Sequence, residues 1–228
     1  LFRSDHVDID KHWNFFNPKA GLNFQKGGHS AFVSFSVANR EPNRDNFTEA
    51  GRDERPQHET LYDYEAGYGF GNSRFRIGAN LYFMDYSNQL ILTGKISEIG
   101  EALTSNIKDS YRMGIELTGG VEITRWLDWS GNLTLSRNKI KNFTESIEVY
   151  DADWNFLRED HNELGTTDIA FSPDIIANSM FNFSWKQFSA SFNSQFVGRQ
   201  YIDNTSCKDR SIDPYFVSNL RVGYVFKP

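Results

Sequence analysis

Apolar and polar residues alternate with a period of two along several segments of the chain, most clearly in residues 111–138. Because successive side chains of a β-strand point to opposite faces, this alternation predicts strands with one apolar and one polar face. The apolar row runs from Tyr111 to Ile123, stops at a tight turn at 124–126 and resumes at Leu127. The pattern predicts an antiparallel hairpin, which suits either a half-buried soluble sheet or a membrane-spanning barrel.

The same alternation recurs through the rest of the chain. Further strands are predicted at residues 15–25, 31–37, 62–70, 75–83, 175–183, 188–196 and 216–226, and residues 1–6 resemble the tail of another. Short turns at 26–29, 71–73 and 185–187 alternate with long connections at about 39–58, 86–108, 141–167 and 199–213. Strict alternation of short and long connections predicts hairpins whose turns lie at one end of the sheet and whose loops lie at the other.

Two properties of these strands favour a membrane barrel over a soluble sheet. The apolar rows contain no Asp, Glu, Lys or Arg, although these residues make up 24% of the sequence. Strands of about 9–11 residues, tight turns at one end and an uncharged outer face are typical of outer-membrane barrels. A soluble β-sandwich binding module, the alternative, rarely keeps all its long loops at one end. We therefore predict an all-β, antiparallel transmembrane barrel segment with short periplasmic turns and long extracellular loops.

This fold assigns a direction to each row of side chains. The lipid-facing row is expected to include Ile115, Leu117, Leu133, Phe181 and Phe192. The inward row is expected to include Arg76, Glu116 and Asn132. Amphipathic rings favour the headgroup level of a membrane, and three lie in or beside short turns: Trp126, Trp129 and Trp185. We therefore expect those turns at the end opposite the loops at 39–58 and 141–167.

The composition of the 228 residues narrows the possible partners. A formal net charge of −6 and a pI near 5.4 argue against nucleic acid. The single cysteine, Cys207, and the scattered histidines have no metal-ligand spacing, and residues 151–155 begin like a calcium loop but lack its glycine and its final glutamate. We expect no metal, no cofactor and no enzymatic site. The lack of an initiator Met and a signal peptide suggests a mature or excised segment.

Several short motifs resemble TonB-dependent outer-membrane receptors, in order and over essentially the whole chain. They are FNPKAGL at 16–22, REP at 40–42, YEAGY at 64–68, GIEL at 114–117, FSP at 171–173 followed by Asn178, and VGRQYIDN at 197–204. The resemblance implies a barrel of about 22 strands with a plugged lumen. Residues 1–228 would form one barrel segment of about ten strands, with the plug domain and the last strands absent.

The resemblance also implies a function. Such receptors sit in the outer membrane of Gram-negative bacteria, contact its lipid, and import scarce nutrients with energy that TonB delivers through the plug domain. A ferric siderophore is the preferred ligand class, with cobalamin, haem and oligosaccharide as the others. A passive porin or structural barrel is the alternative, because such a barrel needs neither a plug nor TonB.

Candidate site residues fall into two groups. In the family, glutamates at matching positions look towards plug arginines, so the predicted plug-contacting residues of the lumen are Glu65, Glu116, Arg76 and Arg112. Arginine suits anionic ferric chelates and aromatic rings suit catechols or sugars, so the predicted ligand-binding loop residues are Arg40, Arg44, Arg52, Tyr150 and Trp154. Ordinary solvated side chains remain the alternative at each position.

Overall fold

The structure, a computed structural model, describes residues 11–43, 46–47, 55–96 and 102–226, with only the backbone described at 93–96 and 102–103. The predicted strand tail at residues 1–6 lies outside this part. No helix of the described chain has the length and apolar composition needed to cross a membrane.

Twelve strands and a short 3-10 helix, Lys208–Arg210, make up the described part of the fold. The strands are β1 Lys19–Lys26, β2 His29–Arg40, β3 Glu59–Gly71, β4 Phe75–Ile96, β5 Ala102–Thr124, β6 Leu127–Tyr150, β7 Phe156–Asp168, β8 Ile175–Trp185, β9 Phe188–Val197, β10 Gln200–Tyr201, β11 Ser211–Ile212 and β12 Tyr215–Tyr224. The wall is a purely antiparallel sheet in the order β1-β2-β3-β4-β5-β6-β8-β9-β12. β7 lies off this order and pairs with the loop-end part of β6. The predicted all-β, antiparallel barrel architecture is confirmed for this partial barrel.

The strand register keeps each row of side chains on one face across the whole wall. Leu117 of β5 pairs with Ala79 of β4 and with Leu133 of β6, which in turn pairs with Ala177 of β8. Glu116, one residue away, pairs with Asn80 and Thr134 on the opposite face. Leu117 and Leu133 are thus on the outer face and Glu116 on the inner one, as the period of two predicts.

Burial separates the membrane band from the region beyond it. Leu117 keeps 38% of its surface exposed, and large apolar residues of every wall strand are similarly exposed on the outer face. The buried apolar residues of the described chain lie near the loop end of the wall: Val37, Ile91, Ile140, Ile169 and Val197. Within the described chain no core forms around the apolar rows, which is typical of the wall of a transmembrane barrel and not of a soluble sandwich.

Backbone hydrogen bonds join the short turns to one another at a single end of the wall. The Gly71 N–H donates to the Gly28 carbonyl over 2.9 Å. Bonds of the same kind join the neighbouring turns, from the N–H to the carbonyl in each case: Glu122 to Arg74, Ser184 to Trp126 and Val225 to Gln187. The first turn needs its glycines, because both have positive φ, at +57° for Gly27 and +82° for Gly28. Antiparallel pairing places residues 39–43, 55–58 and 141–167 at the opposite end, which confirms the predicted position of the tryptophan-bearing turns.

Aromatic rings mark both edges of the apolar band. At the turn end, Trp126 stacks edge-on against Phe183, with ring centroids 5.4 Å apart. At the loop end, a row of rings crosses four strands: Phe35, Tyr64, Phe83 and Tyr111. Tyr111 and Val121 lie at the two edges of the band on β5, about 34 Å apart along the strand or ~26 Å in height at a 40° tilt. That height matches the apolar belt of a transmembrane barrel.

The prediction of long loops is wrong for two of the connections, because most of their residues belong to paired strands. Residues 86–96 continue β4 and 102–108 continue β5, while 141–150 and 156–167 belong to the paired strands β6 and β7. The hairpins therefore extend well beyond the band. Above the membrane both faces of a strand meet water, so the backbone ladder persists without alternation of apolar and polar residues.

Candidate lumen and loop sites

β3 and β5 place two glutamates on the lumen face of the wall. Glu65 pairs with Tyr82 of β4, and Tyr82 pairs with Gly114 of β5, two residues before Glu116. Two strand spacings and two residues of offset put the Cα atoms of Glu65 and Glu116 roughly 12 Å apart. This exceeds the ~9–10 Å that strand spacing alone predicts, because Glu116 is displaced towards the turn end.

Asp63 joins these glutamates in a lumen carboxylate cluster, here defined as Asp63, Glu65 and Glu116. It precedes Glu65 by two residues on the same row of β3. Its Oδ1 atom is buried without a hydrogen-bond partner, as is Oδ1 of Asn80, which stands opposite Glu116. Sequence reasoning missed Asp63, although its place on the polar row of β3 was readable from the alternation.

Small residues leave open space in front of the cluster. Glu65 pairs with Ser34 of β2, and Ser34 pairs with Gly21 of β1. A groove of about 390 Å³ runs here, lined on its inner side by Lys19, Gly21, Ser34, Ser36, Asp63 and Glu65. Within the described wall, no arginine or lysine forms an ion pair with any of the three carboxylates.

The two lumen arginines are placed apart from the carboxylates. Nη1 of Arg112 donates to Ser172 Oγ over 3.0 Å and to Asn138 Oδ1 over 3.4 Å, which ties it to the wall near the loop end. Arg76 lies towards the turn end, across from Gly120, and its Nε would stand 3.0 Å from a Cβ at that glycine. The four predicted lumen residues are therefore one carboxylate pair and two separate arginines.

Arg40 has a local role at the loop end. Its Nη2 contacts Glu59 Oε2 at 2.9 Å and donates to the Leu90 carbonyl over 3.3 Å. The same carboxylate oxygen accepts the N–H of Leu90 over 2.8 Å. These bonds fasten the ends of β2, β3 and β4 together. The other two predicted loop arginines, Arg44 and Arg52, lie outside the described residues.

Tyr150 and Trp154 come together at the tip of the β6–β7 hairpin. With Phe156 they form a loop-tip aromatic cluster, in which the Tyr150 ring centroid lies 6.1 Å from that of Trp154 and 6.0 Å from that of Phe156. Trp154 has positive φ at 62° and keeps 83% of its surface exposed. Exposed rings held at the end of a rigid hairpin suit an aromatic or planar ligand.

Asp151 closes the tip in place of a calcium loop. Its Oδ1 accepts the backbone N–H groups of Asp153, at 2.9 Å, and Asn155, at 2.8 Å, while the Asn155 amide donates to Oδ2 at 3.0 Å. The Asn155 side-chain amide, and then its backbone N–H, lower the pKa of Asp151 below the ordinary value. The Tyr150 hydroxyl donates to the Glu148 carboxylate, which raises the pKa of Tyr150. The turn is thus closed by the protein's own donors.

Residues 198–213, here called the anchored connection, form an ordered element that contains β10, the 3-10 helix and β11. The sequence predicted only a long connection here, apart from the motif at 197–204. Asn204 is only 1% exposed; its Oδ1 accepts the Ala170 N–H over 2.8 Å and its amide donates to the Leu92 carbonyl. Arg210 bridges Glu145 at 3.0 Å and Asp203 at 2.8 Å. The connection therefore locks the base of the β6–β7 hairpin to β4 and β9.

The chain matches known proteins over nearly its whole length. A family model described as TonB dependent receptor-like, beta-barrel, covers residues 2–227. Among solved structures it is similar to the siderophore receptor PiuA from Acinetobacter baumannii, with TM-score 0.66, 13% identity, 90% of this chain and 29% of that chain covered. The ferric-catecholate import receptor Fiu from E. coli K12 gives TM-score 0.62, 15% identity and coverages of 92% and 28%.

A copper transporter, OprC, has a similar fold. Its TM-score is 0.64 with 14% identity, and the match covers 90% of this chain and 30% of that one. At these identities the likeness concerns the fold alone. The chain spans less than a third of the length of each of these three solved proteins.

Proposed function

This chain belongs to the TonB-dependent receptor β-barrel family, and we propose that it forms part of the wall of an outer-membrane importer. The family is one of receptors and transporters rather than enzymes. Its members imply the outer membrane of a Gram-negative bacterium as the location. Active import would draw energy from TonB through a plug domain held inside the barrel.

The observation that carries this proposal is the division of side chains across the wall. Exposed apolar residues such as Leu117 cover the outside, while the lumen carboxylate cluster lies unpaired on the inside of the described wall. A water-filled porin would leave such carboxylates solvated. A lumen that holds a plug instead supplies donors for Asp63, Glu65 and Glu116.

We propose a ferric siderophore as the imported ligand. The names of two similar proteins refer to siderophore or ferric-catecholate receptors, and another is a copper transporter, so metal uptake is the shared theme. The loop-tip aromatic cluster supports an aromatic, catechol-type chelate. Cobalamin, haem and oligosaccharide are the competing ligand classes.

Uptake in a host that lacks its own siderophore receptors tests this ligand class. Cells expressing the receptor are given radioactive iron as a catecholate chelate, with haem, cobalamin and copper in parallel arms. Replacing both Tyr150 and Trp154 with Ser should lower chelate affinity by roughly 5-fold to 150-fold, since each lost aromatic contact contributes about 0.5–1.5 kcal/mol. The matched control is Leu157→Ser, an exposed apolar residue of the same hairpin outside the cluster. Iron uptake that equals background, beside uptake of another ligand, would refute the siderophore proposal.

We propose further that Glu65 and Glu116 latch the plug. Two carboxylates roughly 12 Å apart, with open space before them, suit one arginine each or a pair of neighbouring arginines. Arg112 and Arg76 do not neutralise them, because Arg112 bonds Asn138 and Ser172 and Arg76 lies over Gly120. A seated plug would then supply the cations that face these two carboxylates.

Glutamine substitution tests the latch, because it removes charge and keeps shape. Glu65→Gln and Glu116→Gln should leave ligand affinity at the outer loops unchanged but alter energised uptake and protection of the plug from proteolysis. Glu122→Gln, on the same row of β5 towards the turn end, is the matched control. Uptake and plug protection equal to the parent in both single variants and the double variant would reduce these residues to ordinary lumen carboxylates.

Dependence on TonB separates the importer from a passive porin. Uptake should stop in a host lacking TonB or treated with an uncoupler that collapses the inner-membrane proton gradient. Unchanged uptake under both conditions would favour a passive pore.

A further inference from the structure

Three basic side chains follow one another on the outer face of β6. Arg137, Lys139 and Lys141 continue the row that includes Leu133 at mid-band. Arg137 stands about 13 Å beyond Leu133 along the strand and Lys141 about 27 Å. At a tilt of about 40° they rise from ~10 to ~20 Å above the midplane, across the boundary between hydrocarbon and headgroups.

One of these cations is paired and another is held against the wall. Lys139 forms an ion pair with Asp168 of β7. Nζ of Lys141 lies 5.7 Å from the ring centroid of Tyr111, so its stem follows the outer surface of β5. The position of Lys141 on the outside is thus set by contact as well as by alternation.

Arg137 and Lys141 stay available for an anion from outside. Among the described residues neither forms an ion pair, although Asp174 lies within the electrostatic reach of Arg137. Asp85 of β4 and Asp109 of β5 are the nearby carboxylates of the outer row, and among the described residues neither forms an ion pair with Arg137 or Lys141. Long basic side chains at this depth reach towards the headgroup level, as Arg137 can.

An apolar groove of about 700 Å³ lies directly below these cations. Its outward lining includes Tyr64, Leu81, Phe83, Met113, Ile115 and Leu135, and both Arg137 and Asp174 stand at its loop-end edge. These residues come from β3 to β6, in the middle of the sheet, so a strand added at either edge of the sheet would not cover the groove. Lipid is what such a surface meets in a membrane.

We propose that this patch binds a phosphorylated, acylated lipid of the outer leaflet, of the lipid A type. Arg137 and Lys141 would contact phosphate oxygens, and an acyl chain would occupy the groove. The guanidinium fork of Arg137 matches a phosphate bidentately, and Lys141 adds a second positive charge. The depth of the patch favours lipid over a soluble protein, which does not reach residues at the hydrocarbon boundary.

The test measures binding of a defined lipid by the purified receptor in detergent. Lipid A carrying two phosphates is titrated while the thermal midpoint and the bound lipid, by native mass spectrometry, are recorded. Dephosphorylated lipid A and inorganic phosphate are the comparison probes. The variant Arg137→Gln with Lys141→Gln is compared with Lys26→Gln and Lys186→Gln, which remove the same charge at the turn end.

We expect the Arg137 and Lys141 variant to bind lipid A roughly 30-fold more weakly, since each basic residue near an anionic lipid surface contributes about fivefold. The turn-end variant should bind like the parent, and TonB-dependent uptake need not change in either. Equal binding by both variants, or equal binding of dephosphorylated lipid by the parent receptor, overturns the proposal. Stabilisation by inorganic phosphate alone would identify an adventitious ion only. A dimer that dissociates in the Arg137 and Lys141 variant would assign the groove to a second copy.

Discussion

Placing a charge at the middle of the outer row should destabilise the barrel, and Leu133→Arg is the sharpest case. Leu133 lies six residues from Leu127, at the turn end of β6, and six from Lys139, which pairs with Tyr111 at the loop-end edge of the apolar band. Each distance is about 20 Å along the strand, so Leu133 sits near the bilayer midplane. Its register partners Leu117 and Ala177 are both on the lipid face.

The magnitude follows from this depth. An arginine on the lipid face costs about 2–4 kcal/mol at the midplane of a transmembrane barrel and about 0–1 kcal/mol near the interfaces. Leu133→Arg should therefore reduce the folded-to-unfolded ratio by roughly 30-fold to 900-fold. Leu127→Arg, at the edge of the band, should cost at most about 1 kcal/mol. The native Arg137, nearer the loop-end interface on the same row, already illustrates this gradient.

The neighbouring residue supplies the control. Asn132 points into the lumen, where Asn178 Nδ2 donates to its Oδ1 over 2.9 Å. Asn132→Arg loses one exposed hydrogen bond, which contributes about 0.5–1.5 kcal/mol at most, but its charge stays in water. Denaturant titration of the receptor refolded into phospholipid vesicles, followed by tryptophan fluorescence, measures each cost. Equal costs for Leu133→Arg and Asn132→Arg, or no cost for Leu133→Arg, would refute the assignment of the two faces.

Three further predictions concern the two ends of the wall. Gly28→Ala should lower the free energy of unfolding more than Gly27→Ala in the same titration. Both positions have positive φ, which costs an alanine about 1–2 kcal/mol, but only a Cβ at residue 28 would stand 2.4 Å from the Gly71 carbonyl oxygen. Arg210→Met should loosen the anchored connection by about 1 kcal/mol, since its guanidinium is nearly half exposed, and should speed proteolytic cutting there while global stability is unchanged. The folded tip lowers the pKa of Asp151, so its stabilising contribution is present above about pH 4 and is lost as the pH falls through the lowered value. Hydrogen exchange of the Asp153 and Asn155 backbone amides, which Asp151 accepts, should therefore speed up in that window in the parent relative to the neighbouring amides of the hairpin, whereas Asp151→Asn should show no such change with pH.

The alternation along the chain was enough to assign most side chains to a face. The parity of Glu65, Glu116, Asn132 and Leu133 follows from the extended backbone itself, because neighbouring side chains of a strand point in opposite directions. Lipid surroundings would sharpen that signal, since the outer row excludes charge over the middle of the band and admits Arg137 only near its loop-end edge. The short turns, and their position at one end, follow from the same count.

Contacts between distant segments depended on the tertiary structure. The offset between Glu65 and Glu116, the extension of β4 to β7 beyond the membrane, and the bonds that hold Arg40 and Arg112 all arise from register and from pairing across the sheet. Buried Asn204 is the clearest case, because its partners Ala170 and Leu92 lie 34 and 112 residues away. The sequence by itself determined which face each residue of the band takes, because lipid and backbone geometry act on each strand locally. Only the folded chain decided which residues meet, because that depends on how strands far apart in sequence are aligned.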